Sequence, residues 1–176
     1  MKKKTLYLSM CGLAAVLLLV AASIGSDSTK ADKEETVKHD YIGAKKCRIC
    51  HKDVHASWKE TSHAKAWSLL KPEEQKKTEC VACHSTGTTA KGVLLEGVQC
   101  EACHGAGSDY RKKSIMEDRG LSIKNGLVIP DSTVCVGCHN DKSPTFKGFD
   151  YAKYRANEKG IHVMLEQTKE ADRDQE

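Results

Sequence analysis

The sequence predicts a mainly α fold: short helices and loops, little or no sheet, in one domain. Three observations predict it. The first is a five-residue pattern that occurs four times, as Cys47-Arg48-Ile49-Cys50-His51, Cys80-Val81-Ala82-Cys83-His84, Cys100-Glu101-Ala102-Cys103-His104 and Cys135-Val136-Gly137-Cys138-His139. Each copy is C-x-x-C-H, the attachment signature of c-type haem. Two thiols add to the two vinyl groups of one porphyrin, and two intervening residues bring both sulfurs to one ring edge. The histidine that follows faces the iron as its proximal ligand. The second observation is scale. About 150 residues follow the N-terminal segment, one domain by length. The third is a shortage of aromatics, with Ala, Lys and Glu dominating that part. Four haem c groups would supply the missing apolar volume, so the expected core is porphyrin wrapped by polypeptide.

Other uses of the cysteines explain less. Sixteen residues separate Cys83 from Cys100, which suits a zinc ribbon built from Cys80, Cys83, Cys100 and Cys103. A ribbon has no use for a histidine after every pair. The outer pairs, 29 and 31 residues away, would then have to join each other. A disulfide framework also leaves the four histidines unexplained. The gaps of 29, 16 and 31 residues exclude a regular solenoid.

The chain opens with Met1-Lys2-Lys3-Lys4 and an apolar stretch that ends at Ala21-Ala22-Ser23. This reads as an export signal over residues 1–24, cleaved between Ala22 and Ser26. Haem is joined to this motif outside the cytoplasm, so signal and motifs agree on a periplasmic location. Thr5 to Ile24 is 20 residues, long enough to anchor the chain in a membrane if left uncut. Cys11, the ninth cysteine, makes a poor lipoprotein box and reads as incidental. Lys2, Lys3 and Lys4 leave with the signal, so the net charge of +4 falls by three to +1. Four haems add about eight propionates, partly offset by ferric iron. The holoprotein is then mildly acidic, and nothing suggests nucleic acid. Arg111-Lys112-Lys113 and Lys142, Lys147 and Lys153 read as solvated surface rather than docking patches.

Residues 25–40 read as a flexible polar leader, 41–166 as the tetrahaem domain and 167–176 as a charged tail. Asp53 to Leu70 favours one helix, with Val54, Trp58, His63, Ala66, Trp67 and Leu70 at helical spacings and Asp53 as its cap. Lys71-Pro72 ends it, and Pro72 opens a short second helix over Glu73 to Thr78. Ser85 to Gly97 reads as a loop or a short hairpin around Val93-Leu94-Leu95. Gly105-Ala106-Gly107 allows backbone to lie against a porphyrin. Gly120 to Pro130 reads as a loop, Asn140 to Lys147 turns at Pro144, and Asp150 to Glu158 is a helix.

Four haems present eight axial positions, and the chain has eight histidines. His51, His84, His104 and His139 are proximal by motif. His55 lies too near His51 in sequence to grip the same iron and reads first as a surface or propionate-bonding residue. His63 is twelve residues from His51, roughly 18 Å along a helix, and suits a neighbouring haem. His162, flanked by Ile161 and Val163, reads as a part-buried ligand. His39 falls in the leader and reads as unligated. Met116 and Met164 are the thioethers that outlast signal removal, and packing is their commoner use.

Gly43-Ala44-Lys45-Lys46-Cys47 and Ser57-Trp58-Lys59-Glu60-Thr61-Ser62-His63-Ala64-Lys65-Ala66 resemble the tetrahaem cytochrome c-554 family. So do Gly97 to Gly107 around the third motif, and Cys138-His139-Asn140 with Ser143-Pro144 and Lys147-Gly148. The resemblance covers roughly residues 41 to 165. It implies a helical periplasmic electron carrier with closely packed haem pairs, three bis-histidine irons and a five-coordinate second iron. It implies His63 as distal ligand of the third haem and His162 of the fourth. The family's distal ligand to the first haem lies about ten residues after the third motif. Here Ser108 to Ile115 holds no histidine, so His39, His55, Met116 or an open position all fit.

The function these observations point to is electron transfer between redox protein partners, with no catalytic residue of its own. The alternative is a small reductase acting on nitric oxide, hydroxylamine or peroxide at an open iron. Bis-histidine ligation, lacking a Met ligand, predicts low potentials.

Overall fold

The computed structural model describes residues 38–157 and 160–164. The proposed signal, most of the leader and the charged tail lie outside them. The described chain is mainly helical, as the sequence predicts, with one small sheet. The helices are α1 (Ala44–Cys47), α2 (Lys52–Lys59), α3 (Thr78–His84), α4 (Cys100–His104), α5 (Lys113–Met116), α6 (Arg119–Lys124), α7 (Ser132–Val136) and α8 (Tyr151–Arg155). A 3₁₀ turn spans Ala66–Leu69. Strands β1 (Ser85–Thr88) and β2 (Leu94–Glu96) form an antiparallel hairpin with a bulge between Ser85 and Gly87. It matches the hairpin expected around Val93-Leu94-Leu95.

None of these helices exceeds eight residues, too short to be stable alone. Caps mark several starts. Asp118, Asp131 and Asp150 accept from Leu121 N, Thr133 N and Lys153 N respectively, each satisfying an N–H left without a helical partner. Among the described residues no helix is long and apolar enough to cross a membrane.

The single helix expected over Asp53 to Leu70 is instead broken after Lys59. Thr61 causes the break. Its side chain is buried, and its Oγ1 donates to Trp58 O at 2.7 Å and accepts from Ala64 N at 3.2 Å. A hydroxyl that bonds the backbone on both sides competes with the helix ladder. Glu73 to Lys76 is a run of turns rather than a helix, with Thr78 already opening α3, and Gly120 to Pro130 is entered by α6 rather than being loop throughout. The last helix stops at Arg155, short of the expected Glu158.

The polypeptide buries little apolar matter by itself. Its buried apolar residues are Ala44, Ala66 and Tyr110, while Ile49, Leu69, Leu121, Ile123, Val128, Ile129 and Val136 are exposed. The buried centre is polar. Glu101 is 1% exposed and accepts from three backbone amides: Ile42 N at 3.0 Å, Gly43 N at 2.6 Å and Gly107 N at 2.7 Å. A carboxylate so held is stable away from water. It ties the chain before the first motif to both ends of the third.

Candidate haem-binding site

Each C-x-x-C-H copy sits on or beside a short helix. The first closes α1, the second ends α3, the third makes up α4 and the fourth leaves α7. In each, one helical turn puts both thiols and the histidine on one side, as attachment to a single porphyrin requires. Glycines let neighbouring backbone come close. At Gly105, φ is 77° and a Cβ would stand 2.5 Å from Gly126 O, so no other residue fits.

The motifs meet in pairs. The Cys47 thiol is hydrogen-bonded to that of Cys100; this bond and then burial push Cys47 up, while the bond draws Cys100 down against its burial. Burial, then the bond to Cys83, pushes Cys138 up to about 12. The first motif thus adjoins the third, and the second adjoins the fourth. Cys103 feels Cys135, which joins the two pairs. No group of three or more His, Cys, Asp or Glu forms a metal cluster among the described residues.

The histidines show which side chains could share an iron. His63 stands 6.0 Å from His139, ring centre to ring centre, and His162 stands 6.3 Å from His104. A metal–imidazole bond is about 2 Å and the ring centre lies roughly 1 Å behind the nitrogen, so two imidazoles sharing one iron stand roughly 6 Å apart. Both pairs have that separation. The same two residues were implied as distal ligands by the family resemblance, but with partners exchanged. His63 adjoins the fourth motif rather than the third, and His162 the third rather than the fourth. The helix break at Thr61 accounts for His63, because the chain turns there instead of running straight.

Second contacts orient the rings. Nδ1 lies 3.1 Å from Gly160 O in His63, 2.6 Å from Ala66 O in His84, 3.2 Å from Val128 O in His104 and 2.8 Å from Val163 O in His162. A carbonyl accepts only from N–H, so each Nδ1 carries the proton and Nε2 keeps its lone pair for a metal. Burial, then the neighbouring His139, holds His63 below the ordinary imidazole range; burial, then His162 and His51, does so for His104 against the Val128 bond. Both rings are thereby neutral at pH 7, the form that ligates.

His55 and His39 stand in different settings. His55 packs 5.3 Å from Trp58 and lines a cleft of about 1370 Å³ with Arg48, Lys52 and Lys59. That cleft takes none of the motif cysteines, so His55 fits the surface role. His39 is not loose: its Nδ1 lies 2.7 Å from Asp109 Oδ2. Met116 is half-buried at the end of α5, and Met164 is half-buried near His162. Sequence reasoning passed over Glu101 and Asp109. A charged residue between two haem cysteines was the one available signal for the first; the second had none.

Comparison with known proteins gives the likeness of the chain as a whole. Residues 46–105 match the model of the family described as cytochrome c554 and c-prime. The chain is 36% identical over 125 residues to cytochrome c-554 of Nitrosomonas europaea, an alignment covering 57% of this chain and 50% of that protein. It thus spans about half the length of the curated relative it matches. The solved reduced state of cytochrome c554 from Nitrosomonas europaea superposes with a TM-score of 0.58 at 26% identity, over 74% of this chain and 89% of that one. By sequence over residues 46–105, and by a mainly helical fold over most of its length, the chain is recognised as similar to the cytochrome c554 family of multihaem c-type cytochromes.

Proposed function

We propose that this protein is an exported tetrahaem c-type cytochrome that carries electrons between redox protein partners. Its family likeness supports covalent haem c. The count of four rests on Cys47/Cys50, Cys80/Cys83, Cys100/Cys103 and Cys135/Cys138, each followed by its proximal histidine. Haem supplies the one-electron chemistry when bound. The polypeptide sets ligands, spacing and burial. His51, His84, His104 and His139 would each hold the iron of their own motif's haem, and His63 and His162 would add a second ligand to the fourth and third.

One observation carries this reading: the four motifs are contiguous. Cys47 is hydrogen-bonded to Cys100 and Cys83 to Cys138, and Cys103 lies within electrostatic reach of Cys135. Four centres packed into one small fold make a wire or a multi-electron store, where a simple shuttle would need one. The apolar side chains left uncovered by the polypeptide, Val128, Ile129 and Val136 among them, are the surface porphyrins would cover. The electron donor and acceptor are redox proteins outside the cytoplasm, and the signal over residues 1–24 directs the chain there. Stopped-flow mixing of the reduced holoprotein with a low-potential oxidant tests the reading. All four haems should reoxidise together, without a slow isolated fraction. A slow phase carrying most of the absorbance would overturn the carrier role.

A further inference from the structure

We propose that His39 is the second axial ligand of the iron held by the first motif, and that Asp109 positions its ring. This rests on the tetrahaem reading above.

His39 precedes the first motif by eight residues and was expected to be loose. It is instead pinned twice. Its Nδ1 is 2.7 Å from Asp109 Oδ2, and Asp109 also accepts from Ser108 Oγ at 3.1 Å. The next residue, Asp40, exchanges bonds with Ser108: its N–H donates to Ser108 Oγ at 3.0 Å, and its carbonyl accepts from Ser108 N at 3.1 Å. One side of the ring then lies against Gly126, where a Cβ would come within 2.6 Å of His39 Cδ2 and 2.8 Å of Nε2. A surface histidine of no consequence has no need of such constraints.

The constraints have the form seen at the other ligands. In His63, His84, His104 and His162 a backbone carbonyl takes Nδ1 and leaves Nε2 free. In His39 a carboxylate does the same. Metal-bound histidines commonly give their other N–H to a carboxylate or carbonyl, which fixes the tautomer and raises the basicity of the ligating nitrogen.

Position selects the iron. Gly126, against the ring, has its carbonyl over Gly105 of the third motif's end. Tyr110, next to Asp109, donates from its hydroxyl to Gly105 O at 2.9 Å and senses the Cys47 and Cys100 thiols. His39 therefore belongs to the neighbourhood shared by the first and third motifs. His104 of the third motif already faces His162. His51 is the proximal histidine left in that neighbourhood.

The test uses the full holoprotein, with the haem count measured by intact mass before any spectrum. EPR of the oxidised protein should show three low-spin haems. His39→Ala should keep four covalent haems and lose one low-spin signal to a high-spin one, with cyanide uptake rising from one equivalent per chain to two. Added imidazole should restore the low-spin signal. Asp109→Asn should keep the haem low-spin, shift its g-values and raise the midpoint potential of that haem alone, a change that a merely structural contact would not produce. A four-haem His39→Ala protein with all its low-spin signals, or unaltered spectra and potentials in Asp109→Asn, would overturn the proposal and leave the tetrahaem reading standing. Fewer than three low-spin haems in the unmutated protein would overturn it too. A chain lacking four haems would instead overturn the function on which the proposal rests.

Discussion

His63 faces His139 across 6.0 Å, although 76 positions separate them in sequence. The ring of His63 is held by Gly160 O on its other side. One histidine from the turn after α2 and one from the fourth motif thus stand at the separation that a shared iron requires. His162 and His104 repeat the relationship at 6.3 Å. We predict that His63→Ala turns one low-spin haem high-spin, that His162→Ala turns a different one, and that the double variant shows both changes. Magnetic circular dichroism of the oxidised holoprotein checks this. Unchanged low-spin spectra in both single variants would show that the pairs are packing contacts.

Glu101 is the polar centre of the fold. Its carboxylate takes three backbone amides that have no other partner in helix or strand. Removing it strands buried N–H groups, so Glu101→Ala should cost about 2–4 kcal/mol. Denaturant unfolding of the holoprotein would measure this. A loss under about 0.5 kcal/mol, the usual range for surface changes, would mean that water replaces the carboxylate freely.

Gly97 joins the second and third motifs to the His63 turn. Its φ is 77°, and a Cβ there would meet Ala64 O at 2.8 Å. Its N–H donates to His84 O, and the next residue, Val98, donates to His63 O. Gly97→Ala should therefore destabilise the protein by about 1–3 kcal/mol and disturb the low-spin signal that depends on His63. Thermal unfolding followed by haem absorbance, with the same spectrum, checks both effects. A stable variant with an unaltered signal would refute the coupling.

The iron of the second motif should be open on its distal face. His84 is fixed by Ala66 O, while His63 and His162 adjoin other motifs and His55 lines a cleft without motif cysteines. The oxidised protein should take up one equivalent of cyanide, and the reduced protein one of nitric oxide. Turnover of nitric oxide, hydroxylamine or peroxide at that site would add the reductase reading to the carrier. No uptake of either ligand would show a fully six-coordinate set.

The sequence made some of this legible and hid the rest for physical reasons. Haem attachment is a local code of five residues, so Cys47 to His139 could be read directly. The hairpin of β1 and β2 was legible from its turn-rich composition, and the last helix from its start at Asp150, whereas Asp53, read as a cap, lies inside α2. The break after Lys59 was not, because Thr61 mimics a helical residue in pattern and disrupts one only through where its hydroxyl bonds. Partner histidines were not legible either. Which ring meets His104 or His139 depends on how chains far apart in sequence fold together, and spacing says nothing about that. His39 looked like leader because the residues around it are charged. The contacts that hold it come from Ser108, Asp109 and Gly126, 69 or more positions away.

The central claim is that one chain carries four haems working as a one-electron chain of centres. A spectroelectrochemical titration of the holoprotein tests it most directly. Four electrons should be taken up reversibly per polypeptide, at low potentials set by histidine ligation, with the bands of all four haems responding. Uptake of fewer than four electrons per chain, or stoichiometric zinc in place of haem iron, would contradict it.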